Sequence, residues 1–230
     1  MAIKPKATEV QSMFNRIGAK YDPLNDWLSF GQHHIWKLMA VKWSAPIARG
    51  KGLDLCCGTG DLTQLLHRKI GDQGETVGLD FSEELLAIAQ QKYPQLPITW
   101  QEGNALDLPF RDHYFDSVTM GYGLRNVLDI PQCLREIKRV LKTGGKAAIL
   151  DFNRPRSPLM NQAQQWYLDY LVVPLAARMN LKTEYEYIFP SLQRFPLGQE
   201  QVNLALEAGF TQATHYPIAA GLMGILVLQA

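Results

Sequence analysis

Cysteine is scarce in this chain of 230 residues, which contains three: Cys56, Cys57 and Cys133. An odd number with two of them adjacent argues against a disulfide framework and predicts reduced thiols. The spacing of cysteine and histidine suggests no zinc site, so we expect no bound metal. An excess of one charge is also missing, because Lys and Arg total 23 against 22 for Asp and Glu. That balance argues against a dedicated nucleic-acid-binding protein.

Long hydrophobic runs are missing as well. The first ten residues lack the apolar stretch of a signal peptide, and the apolar windows 168–177 and 218–228 are too short or too interrupted to span a bilayer. We therefore expect a cytoplasmic protein, with peripheral contact to a membrane left open. What the chain does have is a globular composition, with 47% hydrophobic and 20% charged residues.

From residue 52 onward, short apolar runs alternate with longer helical ones, which is typical of βαβ units on a parallel sheet. Strands are predicted at 52–55, 76–80, 98–102, 117–121 and 146–152, with helices at 62–70, 83–93 and 131–141. A helical stretch at 159–179, a helix at 199–208 and strands at 211–216 and 224–228 follow. We expect one α/β domain, with a helical lid at 1–50, a cofactor-binding core at 51–152 and a substrate-side part at 153–230.

The densest chemical signal is the run LDLCCGTGD at 53–61, at a predicted strand-to-helix turn. Gly58 and Gly60 allow a ligand to approach the backbone closely, and the helix that follows offers free N–H groups. Asp80 ends the second predicted strand, where a carboxylate accepts hydrogen bonds from the hydroxyls of a ribose. Glycines alone would indicate an ordinary tight turn. The combination with Asp80 favours a nucleoside site.

Two other classes of protein use such a site. A nicotinamide-dependent oxidoreductase would carry glycine or alanine where Thr63 stands, and the chain has no Tyr-x-x-x-Lys pair. A non-catalytic nucleoside-binding module stays open on the turn alone.

The run D-x-C-x-G-x-G resembles motif I of S-adenosylmethionine-dependent methyltransferases, with Cys56 at the first glycine position. Similar marks follow in order: GNA at 103–105, LPF at 108–110 and LKTGG at 141–145. The resemblance implies a Rossmann-like class I fold, with a seven-stranded, mostly parallel sheet whose last strand is antiparallel. It also implies S-adenosylmethionine as methyl donor, bound by Asp54, Gly58, Thr59, Gly60, Asp80, Phe81, Asn104, Ala105 and Gly121.

A narrower resemblance covers nearly the whole chain. YDPLN at 21–25 and GLRNV at 123–127 are similar to signatures of the ubiquinone/menaquinone C-methyltransferase family. CC at 56–57 and LDFN at 150–153, where LEFS is usual, resemble the branch of that family found in cyanobacteria and plastids. The branch implies methylation of 2-phytyl-1,4-naphthoquinol to phylloquinol, the last step of vitamin K1 synthesis. Demethylmenaquinol or a ubiquinol precursor is the alternative substrate.

The family methylates a ring carbon beside a hydroxyl of a prenylated quinol, and it implies catalytic roles for Arg125, Asn126 and Tyr21. Loss of a phenolic proton, with a reference pKa of about 10, raises the electron density of that carbon. Arg125 stays protonated, so we expect it to stabilise the phenolate or polarise a water instead of acting as the base. Asn126 and Tyr21 would orient the quinol oxygen. Without the resemblance, a surface salt bridge would explain Arg125 and core packing would explain Tyr21.

Residues 33–43 hold Trp36 and Trp43 beside Lys37 and Lys42. Aromatic side chains next to lysines favour the headgroup region of a membrane. The alternative is a helix that only covers the core and turns its lysines to water.

Overall fold

The computed structural model describes residues 31–155, 157–178 and 188–230, which include a seven-stranded sheet. Its strands in chain order are β1 (Lys51–Leu55), β2 (Glu75–Asp80), β3 (Ile98–Glu102), β4 (Phe115–Gly121), β5 (Leu141–Phe152), β6 (Gln212–Ile218) and β7 (Met223–Gln229). In space they are ordered β3-β2-β1-β4-β5-β7-β6. All neighbouring pairs are parallel except those of β7, which runs antiparallel to β5 and β6. The predicted fold class is confirmed.

Helices precede β1 and connect the strands that follow it. Within the described ranges they are α1 (Gln32–Trp43), α2 (Asp61–Ile70), α3 (Glu83–Lys92), α4 (Ile130–Val140), α5 (Pro158–Tyr167), α6 (Val173–Arg178), α7 (Ile188–Arg194) and α8 (Gly198–Glu207). Short 3-10 turns lie at Leu124–Asn126 and Ala219–Gly221, and a π-helical segment, Leu168–Val172, joins α5 to α6. Pro174 explains that break, because it lacks the N–H that would bond the carbonyl of Tyr170.

Local signals place the helices that flank the site. Ser82 caps α3, as its hydroxyl accepts from Leu85 N at 3.2 Å. Asp129 caps α4 in the same way, accepting from Gln132 N at 2.9 Å, and Pro131 lies in the first turn. Ser82 and Pro131 therefore mark the starts of α3 and α4.

The start of β5 differs from the prediction. We expected Gly144 and Gly145 to precede a strand beginning at residue 146, but β5 begins at Leu141. Leu141 pairs with Phe115 on β4, and the register then shifts before Ser117 pairs with Lys146. Gly144 has a φ of 79°, so the glycine pair forms a bend inside the strand.

Helix α1 packs its aromatic face on the sheet. Trp36 and Trp43 contact the cluster of Leu150, Met223 and Ile225, and Trp43 lies 4.8 Å from the Tyr216 ring. Lys37 is buried and donates to Asp61 at 2.9 Å. Neither tryptophan is on the exposed side of this helix, and one of the two lysines is buried. For the tryptophans, the structure supports the alternative in which the helix covers the core.

Candidate active site

The predicted site residues that the structure describes lie at one edge of the sheet, where β1, β2, β3 and β4 end. In the spatial order, the chain leaves β1 towards β2 on one side and reaches β4 on the other. The crevice beyond the carboxyl ends of such neighbouring strands is where open α/β sheets bind ligands. The topology therefore brings the cofactor-binding candidates and the Arg125 turn to a single edge.

The turn after β1 needs its glycines for different reasons. Gly60 has a φ of 85°, and a Cβ there would lie 2.4 Å from the Trp100 ring. Gly58 has a φ of 54°, and a Cβ there would meet no atom of the described residues within 4 Å. Gly60 is thus required by close packing, whereas Gly58 faces open space that a ligand can fill. Thr59 between them is buried.

Asp80 ties this turn to the end of β2. One of its carboxylate oxygens accepts from Gly58 N at 2.8 Å, and the other accepts from Ser82 N at 3.0 Å. Burial raises the pKa of Asp80, and hydrogen bonds from the backbone of Gly58, Ser82 and Phe81 oppose that rise. A carboxylate has about four acceptor sites, so capacity is left for a ligand hydroxyl.

Asp54 is fully buried, and both of its oxygens are held by protein hydroxyls. Thr63 donates to it at 2.6 Å and Thr119 at 2.7 Å. Burial raises its pKa to about 7. Asp54 thus links β1 to α2 and β4 from inside. The sequence had singled out Thr63 only as a departure from a dinucleotide motif, and its hydrogen bond to Asp54 explains why a hydroxyl is needed there.

The remaining cofactor-binding candidates follow β2, β3 and β4. Asn104 is exposed, and its side-chain oxygen accepts from Leu106 N at 3.0 Å, which leaves its NH₂ group as the donor for a ligand. Ala105 is buried in the core, Phe81 is half-buried, and Gly121 ends β4. The structure brings these positions to the same edge. Their contacts with a cofactor stay predictions.

Arg125 is buried against a carboxylate that the prediction had not included among the site residues. Its side chain is 7% exposed, and Nη1 donates to Asp151 and to the carbonyl of Tyr122. The backbone N–H of Arg125 donates to the second oxygen of Asp151 at 3.0 Å. The guanidinium also lies over the Phe152 ring, 4.9 Å from its centre. A surface salt bridge is therefore the wrong interpretation of Arg125.

The turn after β4 that carries Arg125, residues 122–126, contacts the glycine turn after β1, residues 56–60. A Cβ on Gly123 would lie 2.8 Å from Cys56 Cβ, so the loops after β1 and β4 approach as closely as a missing side chain allows. Cys56 and Tyr122 both have positive φ values, 53° and 60°. Such backbone conformations are uncommon outside glycine and cluster at functional sites.

Asn126 presents an acceptor at this junction. Its Nδ2 donates to the carbonyl of Tyr122 at 3.0 Å. Its Oδ1 is shielded from solvent and has no donor among the residues that the structure describes. A buried carboxamide oxygen in that state is ready for a hydroxyl of a ligand.

Comparisons with known proteins bear on the family and on the fold. The model of the ubiE/COQ5 methyltransferase family matches residues 2–227. The chain belongs to this family. This methyltransferase is also 57% identical, over 96% of its length and 98% of the relative, to a 2-phytyl-1,4-naphthoquinone methyltransferase of Trichormus variabilis. A chloroplastic relative from Arabidopsis thaliana, named 2-phytyl-1,4-beta-naphthoquinone methyltransferase, is 49% identical over 96% of this chain and 87% of its own length.

Solved structures show the same fold at low sequence identity. A methyltransferase from Thermotoga maritima aligns with a TM-score of 0.65 at 19% identity, covering 95% of this chain and 98% of that chain. A Haloferax volcanii complex of the Trm112 activator and a methyltransferase contains a chain that aligns with a TM-score of 0.68 at 18% identity, covering 94% of this chain and 97% of that one.

Burial raises the pKa of the three thiols of this methyltransferase, those of Cys56, Cys57 and Cys133, so none of them is a ready thiolate. In the described ranges no group of three His, Cys, Asp or Glu side chains is placed to hold a metal ion. No helix in that part of the chain is long and apolar enough to cross a bilayer. Tyr21, the third catalytic candidate, lies outside the described residues.

Proposed function

We propose that this methyltransferase transfers the methyl group of S-adenosylmethionine to a ring carbon of 2-phytyl-1,4-naphthoquinol, where it replaces a hydrogen that leaves as a proton, forming phylloquinol and S-adenosylhomocysteine. The observation that carries the proposal is the junction of the glycine turn with the turn of Arg125 and Asn126. It puts the nucleoside cradle, formed by the glycine turn at residues 56–60 and by Asp80, beside the buried cation of Arg125 and the Asn126 oxygen, which has no donor among the described residues. Relatives that are 49–57% identical are named 2-phytyl-1,4-naphthoquinone methyltransferases. Those names favour the phytyl-naphthoquinol as substrate over demethylmenaquinol or a ubiquinol precursor.

The cradle fits S-adenosylmethionine. The open space at Gly58 would admit the nucleoside, Gly60 and Thr59 complete the turn, and Asp80 would accept from its ribose hydroxyls. Asn104, with Phe81 and Ala105, would contact its adenine, while Gly121 leaves room at the end of β4. Asp54 supports the cradle from beneath through Thr63 and Thr119. When bound, the cofactor supplies an electrophilic methyl group on a sulfonium.

The chain's own residues make the quinol carbon nucleophilic. Arg125 holds a positive charge in a water-poor setting, where it favours ionisation of the quinol hydroxyl. Asp151 fixes the guanidinium by contacts to its side chain and its backbone N–H, so the charge is oriented before substrate arrives. Asn126 Oδ1 accepts a hydrogen bond from the quinol hydroxyl or from the water that takes its proton, and Tyr21 assists in that orientation.

Methyl transfer with labelled donor tests the proposal. We expect label in phylloquinol when 2-phytyl-1,4-naphthoquinone is chemically reduced, and none when reductant is rigorously excluded, because the oxidised ring is electron-poor. Demethylmenaquinol in a parallel reaction measures the preference for the phytyl tail. Equal labelling of quinone and quinol would refute the mechanism. Faster labelling of demethylmenaquinol would make demethylmenaquinol, and not the phytyl compound, the preferred substrate.

We also propose that the segment 1–50 covers the site as a lid, since Lys37 on α1 donates to Asp61, the residue directly after the glycine turn.

We further propose that the enzyme meets its lipid substrate at a membrane surface. The support lies on α1, where Ile35 and Leu38 are 58% and 49% exposed. They lie on one face with Lys42, at helical spacing 35, 38, 42, opposite the face that packs on the sheet. A phytyl tail is long and apolar, so the quinol that carries it resides in a bilayer.

A further inference from the structure

Asn153 directly follows β5 and is 7% exposed. Its backbone N–H donates to the carbonyl of Leu222 at 2.9 Å, and its carbonyl accepts from Gln164 Nε2 at 3.1 Å. Contacts from two other parts of the chain therefore fix its backbone. The residue lies two positions after Asp151, the carboxylate that holds Arg125, and side chains two apart on an extended chain point to the same face.

The carboxamide of Asn153 has one determined orientation. Nδ2 donates to the carbonyl of Gly221 at 2.9 Å. Oδ1 is shielded from solvent, and the described part of the chain provides no donor for it. Flipping the amide would bring Oδ1 against the Gly221 carbonyl, two acceptors facing each other, so the oxygen must stay where it is. An unsatisfied buried oxygen destabilises the folded protein, and a ligand donor would remove that cost.

Asn126 shows the same arrangement at the end of the neighbouring strand β4. Its NH₂ group is occupied by the Tyr122 carbonyl, and its oxygen has no donor in the part of the chain that the structure describes. The bonds from Arg125 to Asp151 join the two strand ends. Each of these two carboxamides at adjacent strand ends thus donates from its NH₂ group to a backbone carbonyl. Each also has a buried oxygen that the described residues leave without a donor.

We propose that Asn153 is a specificity-determining residue that makes the site select the reduced form of the naphthoquinone. Its Oδ1 accepts a hydrogen bond from a hydroxyl of the quinol. The quinol has two O–H donors, whereas the quinone has two carbonyl acceptors in their place. A quinone oxygen at Asn153 would leave both acceptors desolvated and unpaired, so the oxidised form binds weakly. This inference rests on the proposed substrate.

Anaerobic binding tests the inference. The probes are 2-phytyl-1,4-naphthoquinone in detergent micelles, oxidised or dithionite-reduced, with S-adenosylhomocysteine present so that no turnover occurs. We expect the protein to bind the quinol at least about tenfold more tightly than the quinone, which corresponds to about 1.4 kcal/mol. Asn153→Leu should reduce that preference to about twofold or less. Asn153→Ser should give an intermediate preference, because a hydroxyl rotates to donate or to accept.

A kinetic split separates this role from structural support. Asn153→Leu should raise KM for the quinol by about tenfold with kcat within about threefold of the unmutated enzyme, since Asn153 binds a hydroxyl but does not take part in the chemical step. Gln164→Leu is the matched control. It removes the contact to the Asn153 carbonyl and should lower the melting temperature while the preference for quinol persists.

Several results would overturn the inference. Equal affinity of the unmutated protein for quinone and quinol would do so, as would an undiminished preference in folded Asn153→Leu. If Asn153→Leu does not fold, the same comparison with Asn153→Ser decides. Labelled methyl transfer by the unmutated enzyme distinguishes the two levels. Transfer to the quinol without a binding preference rejects the role of Asn153 alone, whereas no transfer rejects the proposed function and this inference with it.

Discussion

At the scale of single residues, Asp80 combines two tasks, because the carboxylate that would accept from a ribose also holds Gly58 N at 2.8 Å. Asp80→Ala should lower affinity for S-adenosylmethionine by about 100-fold or more, since charge-assisted hydrogen bonds are each worth about 1.5–3 kcal/mol. Asp80→Asn keeps one acceptor and should lose less. Titration calorimetry measures both, and unchanged affinity in Asp80→Ala would remove Asp80 from the site.

Asp54 makes a pH-dependent contribution whose sign follows from its environment. Its pKa is about 7 in the folded protein against 3.8 for an exposed aspartate, so the folded state binds the proton more tightly. The stabilisation is complete below pH 3.8 and is lost as the pH rises through 7. Asp54→Asn should therefore gain in melting temperature relative to the unmutated protein between pH 5 and pH 8, by about 5 °C or more.

The comparison of melting temperatures at several pH values checks this expectation. Asp80 is present in both proteins, but its negative charge is one of the causes that raise the pKa of Asp54, so the difference in melting temperature includes the loss of that repulsion. A difference that does not change with pH would show that Asp54 keeps an ordinary pKa.

Arg125 tests charge against shape. Arg125→Lys keeps the positive charge and could replace Nη1, the nitrogen that reaches both Asp151 and the Tyr122 carbonyl, but it loses the planar guanidinium that lies over the Phe152 ring. We expect kcat to fall by about 100-fold, with affinity for S-adenosylmethionine within about twofold. Single-turnover kinetics and calorimetry measure the two quantities. A normal kcat would limit Arg125 to holding the turn.

At the scale of elements, the sequence predicted the ends of most strands and helices to within one or two residues. Local signals mark such ends, as the N-cap Ser82 does for α3 and Pro131 does for α4. The sequence misplaced the start of β5, whose pairing with Phe115 depends on contacts 26 residues apart along the chain. The hydrogen bond from Thr119 to Asp54 spans 65 residues, and the burial of Arg125 depends on Asp151. Local periodicity carries no information on such distant partners.

Lys37 joins α1 to the first turn of α2, immediately after the glycine turn. The lysines Lys37 and Lys92 hold the pKa of Asp61 well below its usual range, even though burial opposes this effect. The Lys37 side chain is 10% exposed, whereas that of Lys92 is 37% exposed. Lys37→Met should therefore cost about 1–3 kcal/mol of unfolding free energy, and Lys92→Met less than about 1 kcal/mol.

Denaturant unfolding measures both costs, with Lys92→Met as the matched control because it contacts the same carboxylate. Combining Lys37→Met with Asp61→Asn should cost less than the sum of the single changes, since the two side chains interact. Additive costs would mean that this ion pair does not hold α1.

At the scale of the whole molecule, a net charge of +1 gives no general attraction to anionic lipid, so any membrane contact has to be local. The exposed face of α1 offers Ile35 and Leu38 for apolar insertion and Lys42 for about 1 kcal/mol of attraction to an anionic surface. Trp36 and Trp43, which the sequence alone had suggested as anchors, are instead committed to the sheet.

We therefore expect the protein to float with anionic liposomes at low salt, and the double change Ile35→Ser/Leu38→Ser to lower the recovered fraction at least about threefold, because it removes apolar surface without touching the core. Leu206→Ser is the control, since Leu206 is 47% exposed but lies on α8. Vesicles loaded with 2-phytyl-1,4-naphthoquinone provide the substrate. If the unmutated protein stays in the soluble fraction even with loaded vesicles, or if Leu206→Ser weakens recovery equally, α1 is not the surface that meets the membrane.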